Sequence, residues 1–292
     1  MFVVIGATGH VGREAVQLLL DTGREVAAVT RGDQVSAGLP SDARVVCGEP
    51  SRPRSLAAHL PGHVEGVLLG LRPVGTAAAT ADLLALAAER GAKQVVALSA
   101  LTVEQPVGVP RFVEEFREFE AAVRGSGLSW TILRCADFTA NSLAWAPQIR
   151  ASGTVYGAYP SAATSPIHPR DIADVAVRAF TGAELAGQAL ALTGSQSLDQ
   201  REKVRIIGEA VGRELSFQEV GPEDVRRAML AQGMPADIPE RLLGSLAGYA
   251  RTPGRTTDAV QQVLGRAPLG YAQWASENSG AFAAPRQVST PL

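Results

Sequence analysis

The sequence predicts an α/β fold built on a doubly wound parallel sheet, and three observations support this prediction. Short apolar runs recur along the first half of the chain, as expected of strands that are buried on both faces. Stretches with helical spacing of their apolar residues separate these runs. Three regularly spaced glycines follow the first run directly. Strands that alternate with helices in this way form parallel sheets through right-handed crossovers.

The glycines occupy the turn between the first strand, Phe2 to Ile5, and a helix that ends at Gly23. Gly6, Gly9 and Gly12 lack Cβ atoms, so the backbone can turn tightly and a diphosphate can approach it closely. The helix start directs free N–H groups and the positive end of its dipole towards such a group. The motif therefore predicts a dinucleotide-binding Rossmann fold. The predicted cofactor contacts in the motif are Gly6, Thr8, Gly9, His10, Val11 and Gly12.

Further elements follow in order. Apolar runs predict strands at Val26 to Val29, Ala43 to Val46, Gly66 to Leu69, Gln94 to Leu98 and Ser129 to Leu133. Helices are predicted from Ser51 to Leu60, from Thr76 to Arg90 and from Pro110 to Gly125. Ligands of doubly wound sheets bind beyond the carboxyl ends of the strands. This rule adds four predicted cofactor contacts, which are Arg31, Glu49, Leu71 and Ser99.

The end of the second strand predicts which dinucleotide is bound. An acidic residue at this position hydrogen-bonds the free 2′-hydroxyl of NAD, whereas an arginine accommodates the 2′-phosphate of NADP. Arg31 lies nearer the strand end than Asp33, so the sequence favours NADPH. In the alternative, Arg31 is solvated, Asp33 binds the ribose, and the cofactor is NAD.

Composition excludes several classes of function. The formal net charge of −2 argues against a general nucleic-acid or acidic-membrane partner. No apolar run is long enough to span a membrane, and the apolar start lacks the basic flank of a signal peptide. We therefore expect a cytoplasmic protein. Cys47 and Cys135 are too few for a disulfide framework or a metal cluster, so no metal site is expected.

Aromatic residues predict where a substrate would lie. Phe112, Phe116 and Phe119 recur at intervals of four and three along one predicted helix. Most such stripes pack in a core, and the alternative is that Phe112 and Phe116 form a flat wall of a substrate groove. Together with Phe138 and Trp145, these two residues are the predicted contacts of a hydrophobic substrate.

The carboxyl-terminal part departs from simple alternation. A predicted strand, Leu190 to Thr193, returns to the main sheet, which would interleave a smaller α/β substrate lobe with it. Helices are predicted at Gln200 to Val211 and at Asp224 to Gln232. Asp171 is predicted to cap another helix, and His168 is interpreted as structural. The predicted division is a Rossmann domain over residues 1–152, a substrate lobe over 153–284 and a tail over 285–292.

Longer segments resemble the NmrA-like family of atypical short-chain dehydrogenases/reductases. The GATGHVG stretch resembles the glycine motif of that family, and Ser126 to Asn141 resembles its SGL-x-x-T-x-x-R-P-x-x-F-x-x-N segment, with Cys135 in place of the proline. Similar matches cover Ile167 to Ala176, Leu192 to Phe217 and Gly265 to Glu277. The resemblance implies a Rossmann fold and NAD(P)H binding. Members include NADPH-dependent reductases of quinones and plant phenolics, and regulators that bind the dinucleotide without turning it over.

One departure from the family bears on chemistry. Typical catalytic relatives carry Tyr-x-x-x-Lys, whose tyrosine transfers a proton, and the resemblance puts Phe112 and Phe116 at those two positions. None of the four tyrosines of this chain is followed by a lysine four residues later. Loss of a positioned general acid costs about 10²–10⁴-fold in rate. A quinone suffers least from that loss, because the phenolate that forms is stabilised by aromaticity and water can protonate it.

These observations predict an NADPH-dependent reductase of a hydrophobic conjugated carbonyl or quinone-like molecule, with no side chain assigned as the catalytic base. The alternative is a non-catalytic, dinucleotide-sensing regulatory or scaffold protein that binds a protein partner. Sugar-nucleotide epimerisation ranks last, since it normally needs the same absent tyrosine.

Overall fold

The structure of the protein, a computed structural model, describes residues 1–32 and 38–283. Two predictions lie outside these residues, namely Asp33 as a ribose contact and the tail over residues 285–292. No helix within the described ranges is both long and apolar enough to cross a bilayer.

A seven-stranded parallel sheet forms the centre of the described chain, in the order β3-β2-β1-β4-β5-β6-β8. Its strands are β1 (Phe2–Ile5), β2 (Val26–Thr30), β3 (Arg44–Cys47), β4 (Gly66–Gly70), β5 (Gln94–Ala100), β6 (Ser129–Cys135) and β8 (Ala189–Leu192). A separate parallel pair consists of β7 (Thr154–Gly157) and β9 (Ser216–Glu219). The predicted fold class is confirmed, and β8 joins β6 as the predicted interleaved strand. The division at residue 152 stays a prediction.

Helices cover both faces of the sheet and continue into the carboxyl-terminal part. Their bounds are α1 (His10–Asp21), α2 (Leu71–Val74), α3 (Ala77–Glu89), α4 (Pro110–Arg124), α5 (Ala146–Ser152), α6 (Pro169–Thr181), α7 (Gln200–Val211), α8 (Pro222–Ala231), α9 (Asp237–Arg251), α10 (Ala259–Leu264), α11 (Tyr271–Glu277) and α12 (Ser279–Phe282). The helix predicted over residues 51–60 is only a short 3₁₀ turn, Pro53–Ser55.

Apolar side chains are buried in three clusters. One lies between the sheet and α1 and α6, and a second lies between the other face and α3 and α4. The central strands β1, β2 and β4 are buried along their whole length, which explains why they read as continuous apolar runs. A third cluster joins α5, α7, α11 and α12 in the carboxyl-terminal part.

The start of α6 corrects one prediction. His168, and not Asp171, is the cap of this helix, because its Nδ1 accepts a hydrogen bond from the Arg170 N–H at 3.0 Å. Asp171 lies in the first turn, fully buried, and accepts a hydrogen bond from Arg266 at 2.7 Å. His168 also lies 3.0 Å from Glu277 through its Nε2. The structural interpretation of His168 is therefore confirmed, whereas the predicted role of Asp171 as a cap was wrong.

Candidate functional site

The glycine turn lies at the point where the strand order of the sheet reverses. Successive crossovers run outwards from β1 and from β4 in opposite directions, and such a switch point leaves a ligand crevice at the carboxyl ends of the two strands. Gly6 follows β1 with a backbone φ of +79°, a conformation that residues other than glycine rarely adopt. A Cβ atom on Gly6 would also lie 3.0 Å from Cγ of Pro73 in α2.

Gly12 allows α1 to pass close to this turn. A Cβ atom at this position would lie 2.2 Å from the carbonyl oxygen of Gly6 and 2.8 Å from Cα of Ala7. The helix begins after Gly9 with no side-chain cap, and Gly9 and His10 are exposed. The arrangement fits a dinucleotide, because uncapped amides at a helix start bind a diphosphate and no side chain fills the turn.

Two polar side chains flank the turn. Arg13 Nε donates a hydrogen bond to the Thr8 carbonyl at 2.9 Å and so holds the loop against α1. Partial burial, and secondarily the charge of Arg13, lowers the pKa of His10 below its usual 6.5. A lower pKa disfavours the His10 cation, and the donors that the turn itself offers to a diphosphate are the backbone amides.

The other predicted cofactor contacts lie at the carboxyl ends of their strands, as expected. Arg31 is exposed directly after β2, and no hydrogen bond or ion pair joins it to another described residue. Glu49 follows β3 and accepts a hydrogen bond from the Ser51 N–H at 3.4 Å. Leu71 is the first residue of α2, and its side chain is buried in the core. The whole residue is 2% exposed, so Leu71 contacts the core rather than the crevice.

Ser99 is engaged by a charged network that sequence reasoning missed. Its hydroxyl donates to Glu120 Oε1 at 2.7 Å, and Arg134 binds both oxygens of the same carboxylate at 2.9 and 2.8 Å. Arg124 adds a further hydrogen bond at 2.8 Å. Burial raises the pKa of Glu120, but the hydrogen bonds from Arg134, Ser99 and Arg124 outweigh this effect and leave the pKa below its ordinary value. The hydroxyl of Ser99 thus already has a partner.

The aromatic stripe of α4 divides into two parts. Phe119 is fully buried in the core. Phe112 lies under the guanidinium of Arg241, with 5.7 Å between the guanidinium carbon and the ring centre, and Phe116 stands in the same relation to Arg72 at 5.4 Å. Phe112 and Phe116 therefore lie where α4 contacts α9 and α2, respectively.

Phe138 and Trp145 lie on the chain that follows β6. Phe138 pairs with Ile167 in a single parallel bridge and packs against the first and third apolar clusters. Trp145 ends the 3₁₀ turn Thr139–Trp145 and packs against the third cluster only. Phe138 is thus next to the strand end, whereas Trp145 belongs to the carboxyl-terminal packing.

Helix α9, which no sequence motif indicated, covers the segment that follows β5. Gly244 and Gly248 face this segment so closely that Cβ atoms would lie 2.7 Å from Val109 Cγ2 and 2.5 Å from Val107 Cγ1. Two small residues four positions apart let helix and loop meet at backbone distance. The helix therefore forms a roof over the carboxyl edge of the sheet.

Unpartnered polar atoms concentrate under this roof. Among the described residues, four buried side-chain atoms have no hydrogen-bond partner: Gln105 Oε1, Asp137 Oδ1, Thr139 Oγ1 and Arg241 Nη1. Gln105 follows β5, Asp137 and Thr139 follow β6, and Arg241 belongs to α9. Since buried polar groups normally have partners, their concentration at one edge indicates where water or a ligand supplies the missing hydrogen bonds.

Lys203 and Asp137 form a charge pair at the same edge, in which the lysine is buried and the side chain of Asp137 is 28% exposed. Lys203 is one of only two lysines in the chain and is 3% exposed. Its Nζ lies 3.3 Å from Asp137 Oδ2 and donates to Thr164 Oγ1 at 2.5 Å. A buried ammonium needs such partners to offset its lost hydration. Its only signal in the sequence is a lysine in a chain that otherwise uses arginine.

Two clefts in the described part of the chain lie away from the glycine turn. One of about 280 Å³ lies at the amino ends of β5 and β6, beside Gln94, Ser129 and Phe180, and so on the opposite edge from the glycine turn. The other, of about 580 Å³, is bounded by Pro106 and by the outer face of α4 around Arg117. Neither contains a predicted cofactor contact, so the candidate site is defined by the strand ends and not by cleft size.

Comparisons with known proteins identify the family of the chain. A family model described as NAD(P)H-binding matches residues 6–182, from the glycine turn to the end of α6. The (4-alkanoyl-5-oxo-2,5-dihydrofuran-3-yl)methyl phosphate reductase of Streptomyces griseus subsp. griseus is 34% identical over 97% of this chain and 99% of its own. The NAD(P)H azoreductase of Xenophilus azovorans is 29% identical over 97% and 100% of the two chains.

A solved structure shows the same fold. The NADPH-dependent quinone oxidoreductase of Escherichia coli, complexed with NADPH, superposes with a TM-score of 0.77 at 21% identity, over 95% of this chain and 99% of that one. The family model covers more than half of the chain. The chain therefore belongs to the NAD(P)H-binding family, as its resemblance to the NmrA-like reductases implied.

Proposed function

We propose that the protein is an NADPH-dependent reductase of hydrophobic, conjugated acceptors of the quinone type. The observation that carries the proposal is the glycine turn, where Gly12 leaves no space for a Cβ atom and α1 begins without a side-chain cap. The three relatives compared above are named for the reduction of an unsaturated oxo-dihydrofuran, of azo compounds and of quinones. In each of these groups, conjugation spreads the charge that a hydride adds.

The residues at the strand ends would divide the binding of the cofactor between them. The Gly9 N–H donates to the Gly6 carbonyl at 3.0 Å and so closes the turn. The amides of His10, Val11 and Gly12 would hold the diphosphate, and the exposed guanidinium of Arg31 would bind the 2′-phosphate. When bound, NADPH supplies a hydride.

The chain's own side chains would then orient the acceptor. Phe116 and Phe138 are partly buried and offer apolar surface beside the strand ends, whereas Phe112 is only 6% exposed and would support this surface from behind. Orientation of a flat acceptor against this surface would supply the rate. The absence of Tyr-x-x-x-Lys is compatible with turnover, since conjugated acceptors need little proton donation. It therefore gives the regulatory alternative no independent support.

Titration followed by an acceptor screen tests the proposal. Calorimetry with NADP⁺, NADPH, NAD⁺ and NADH should show the tightest binding for the phosphorylated pair. NADPH consumption is then measured with benzoquinones, naphthoquinones and azo dyes, and we expect turnover with at least the quinones. Absence of binding to every dinucleotide would refute the cofactor assignment, and tight binding without turnover of any conjugated acceptor would leave a dinucleotide sensor as the function.

Removal of Arg31 tests the cofactor preference separately. A hydrogen-bonded charge pair contributes about 1.5–3 kcal/mol, so Arg31→Ala should weaken NADPH by about tenfold or more and leave NADH almost unchanged. Arg201→Ala is the matched control, because Arg201 is also exposed but lies on α7. Equal weakening of NADPH and NADH in Arg31→Ala would contradict the 2′-phosphate assignment.

A further inference from the structure

We propose that Tyr249 of α9 donates a hydrogen bond to the oxygen of the acceptor and so provides the hydroxyl that α4 lacks. This inference rests on the proposed reductase function. It assigns a catalytic role to a residue outside the Tyr-x-x-x-Lys positions and far from them in sequence.

Contacts along α9 place Tyr249 on the face that looks towards the sheet. Residues four apart share a face of a helix, so Arg241, Ser245 and Tyr249 form one stripe. Arg241 lies over the ring of Phe112, and Cα of Ser245 would be 3.2 Å from a Cβ atom on Gly108. The stripe thus runs from α4, past the segment after β5, towards the end of β6.

The far end of α9 is fixed beside the charge pair of Lys203 and Asp137. Just beyond the helix, the Gly254 N–H donates to the Ala163 carbonyl at 2.9 Å, and the Ser165 hydroxyl donates to the Gly254 carbonyl at 3.0 Å. Ala163 and Ser165 flank Thr164, which accepts the hydrogen bond from Lys203. Tyr249, one turn before this anchor, consequently lies close to Asp137, at the carboxyl end of β6.

The hydroxyl of Tyr249 is available to a ligand. It makes no hydrogen bond within the described part of the chain. It is also not one of the four buried atoms that lack a partner, so it is not closed off from solvent. Tyr271 differs in this respect, because its hydroxyl donates a hydrogen bond to Ser142 at 2.6 Å. Three of the buried atoms without a hydrogen-bond partner belong to the segments that this stripe of α9 approaches: Gln105 Oε1, Asp137 Oδ1 and Thr139 Oγ1.

The chemistry favours hydrogen-bond donation over proton transfer. Burial, and secondarily the charge of Asp137, raises the pKa of Tyr249 to about 12. An ordinary phenol has a pKa of about 10, so a phenolate formed from a quinone holds a proton less tightly than Tyr249 does. The hydroxyl therefore keeps its proton and stabilises the negative charge that develops on the acceptor oxygen.

The overall reaction balances without a proton from the protein. A quinone gains a hydride from NADPH and a proton from water, and it becomes a hydroquinone while NADPH becomes NADP⁺. Loss of one preorganised donor to a localised oxyanion costs about 10²–10³ in kcat. For a delocalised phenolate, the smaller loss of about tenfold to a hundredfold is expected.

The test compares Tyr249→Phe with Tyr156→Phe and Tyr159→Phe. In Tyr249→Phe, kcat for quinone reduction should fall by about tenfold to a hundredfold, while calorimetric affinity for NADPH stays unchanged and shows that the protein is folded. A second readout does not depend on turnover: binding of p-nitrophenolate to the protein loaded with NADP⁺ should weaken in Tyr249→Phe only. Both controls should match the unmodified protein.

The outcomes separate this inference from the proposed function. Quinone turnover and p-nitrophenolate affinity that survive Tyr249→Phe would overturn the role of Tyr249 and leave the reductase intact. A loss of the same size in Tyr159→Phe would also overturn it, because the effect would then not be specific to α9. Absence of turnover in the unmodified protein would overturn the reductase and this role together.

Discussion

Glu120 is a buried carboxylate that receives hydrogen bonds from Ser99, Arg124 and Arg134. An ionised group without partners would be too costly to bury. Three donors from β5, α4 and β6 therefore offset its lost hydration. Because the three elements meet at one carboxylate, this residue fixes how the aromatic face of α4 sits against the strand ends.

The pKa of Glu120 makes this contribution depend on pH. The folded pKa lies below the ordinary value of 4.5, so the stabilisation is complete above about pH 4.5 and is lost as the pH falls through the folded pKa. We expect Glu120→Gln to lower the free energy of unfolding at pH 7 by about 3 kcal/mol. The difference from the unmodified protein should shrink towards pH 3.

Urea unfolding at pH 7 and at several values down to pH 3 measures this effect. Glu118→Gln is the control, since Glu118 lies on the same helix but is exposed and unpaired within the described chain. If the two variants unfold at the same urea concentration at pH 7, the buried network does not stabilise the fold as described.

At the scale of elements, the closeness of α1 to β1 decides whether the diphosphate site exists. The helix packs on the sheet through Val11, Ala15 and Leu19 and against α6 on its other side. It therefore has no room to move outwards without opening the core. Gly12 is the position where helix and turn come nearest.

Gly12→Ala should consequently disturb both stability and binding. The added methyl group would lie 2.2 Å from a backbone oxygen that cannot rotate away. Overpacking of this kind costs about 1–3 kcal/mol, and the shifted helix start would weaken NADPH by at least tenfold. Gly62→Ala is the matched control, because nothing lies within 4 Å of a Cβ atom there and its φ is not positive.

Thermal unfolding and calorimetric titration of both glycine variants measure these effects. A Gly12→Ala protein that binds NADPH as tightly as Gly62→Ala would show that the close approach at the turn is dispensable.

At the scale of the whole molecule, local signals predicted the sheet but not the roof over it. Strands β1, β2 and β4 were predictable because strands buried on both faces must be continuously apolar. Pro110 and the glycines after helices set several boundaries. Helix α9 was not predicted, because its close packing against the loop after β5 depends on Gly244 and Gly248 and not on a local motif.

The site divides in the same way. The glycine turn was predictable because the requirement for missing Cβ atoms is written in adjacent residues. The partner of Ser99 and the charge pair of Lys203 with Asp137 were not predictable, because these contacts join residues that are 21 and 66 positions apart in the sequence. The cap of α6 was missed for a local reason. The acidic side chain of Asp171 was expected to cap the helix, but a ring nitrogen of His168 does so three residues earlier.

Strand β8 limits how the chain can be cut or exchanged. It pairs with Ile132, Leu133, Arg134 and Cys135 of β6, although it lies beyond residue 152. A fragment that ended there would leave the amides and carbonyls of β6 unpaired along an open edge, which is a template for aggregation. The amino-terminal part is therefore not expected to fold as an isolated fragment or to be moved alone into another protein. In a chimera of two relatives, β6 and β8 would have to come from the same parent.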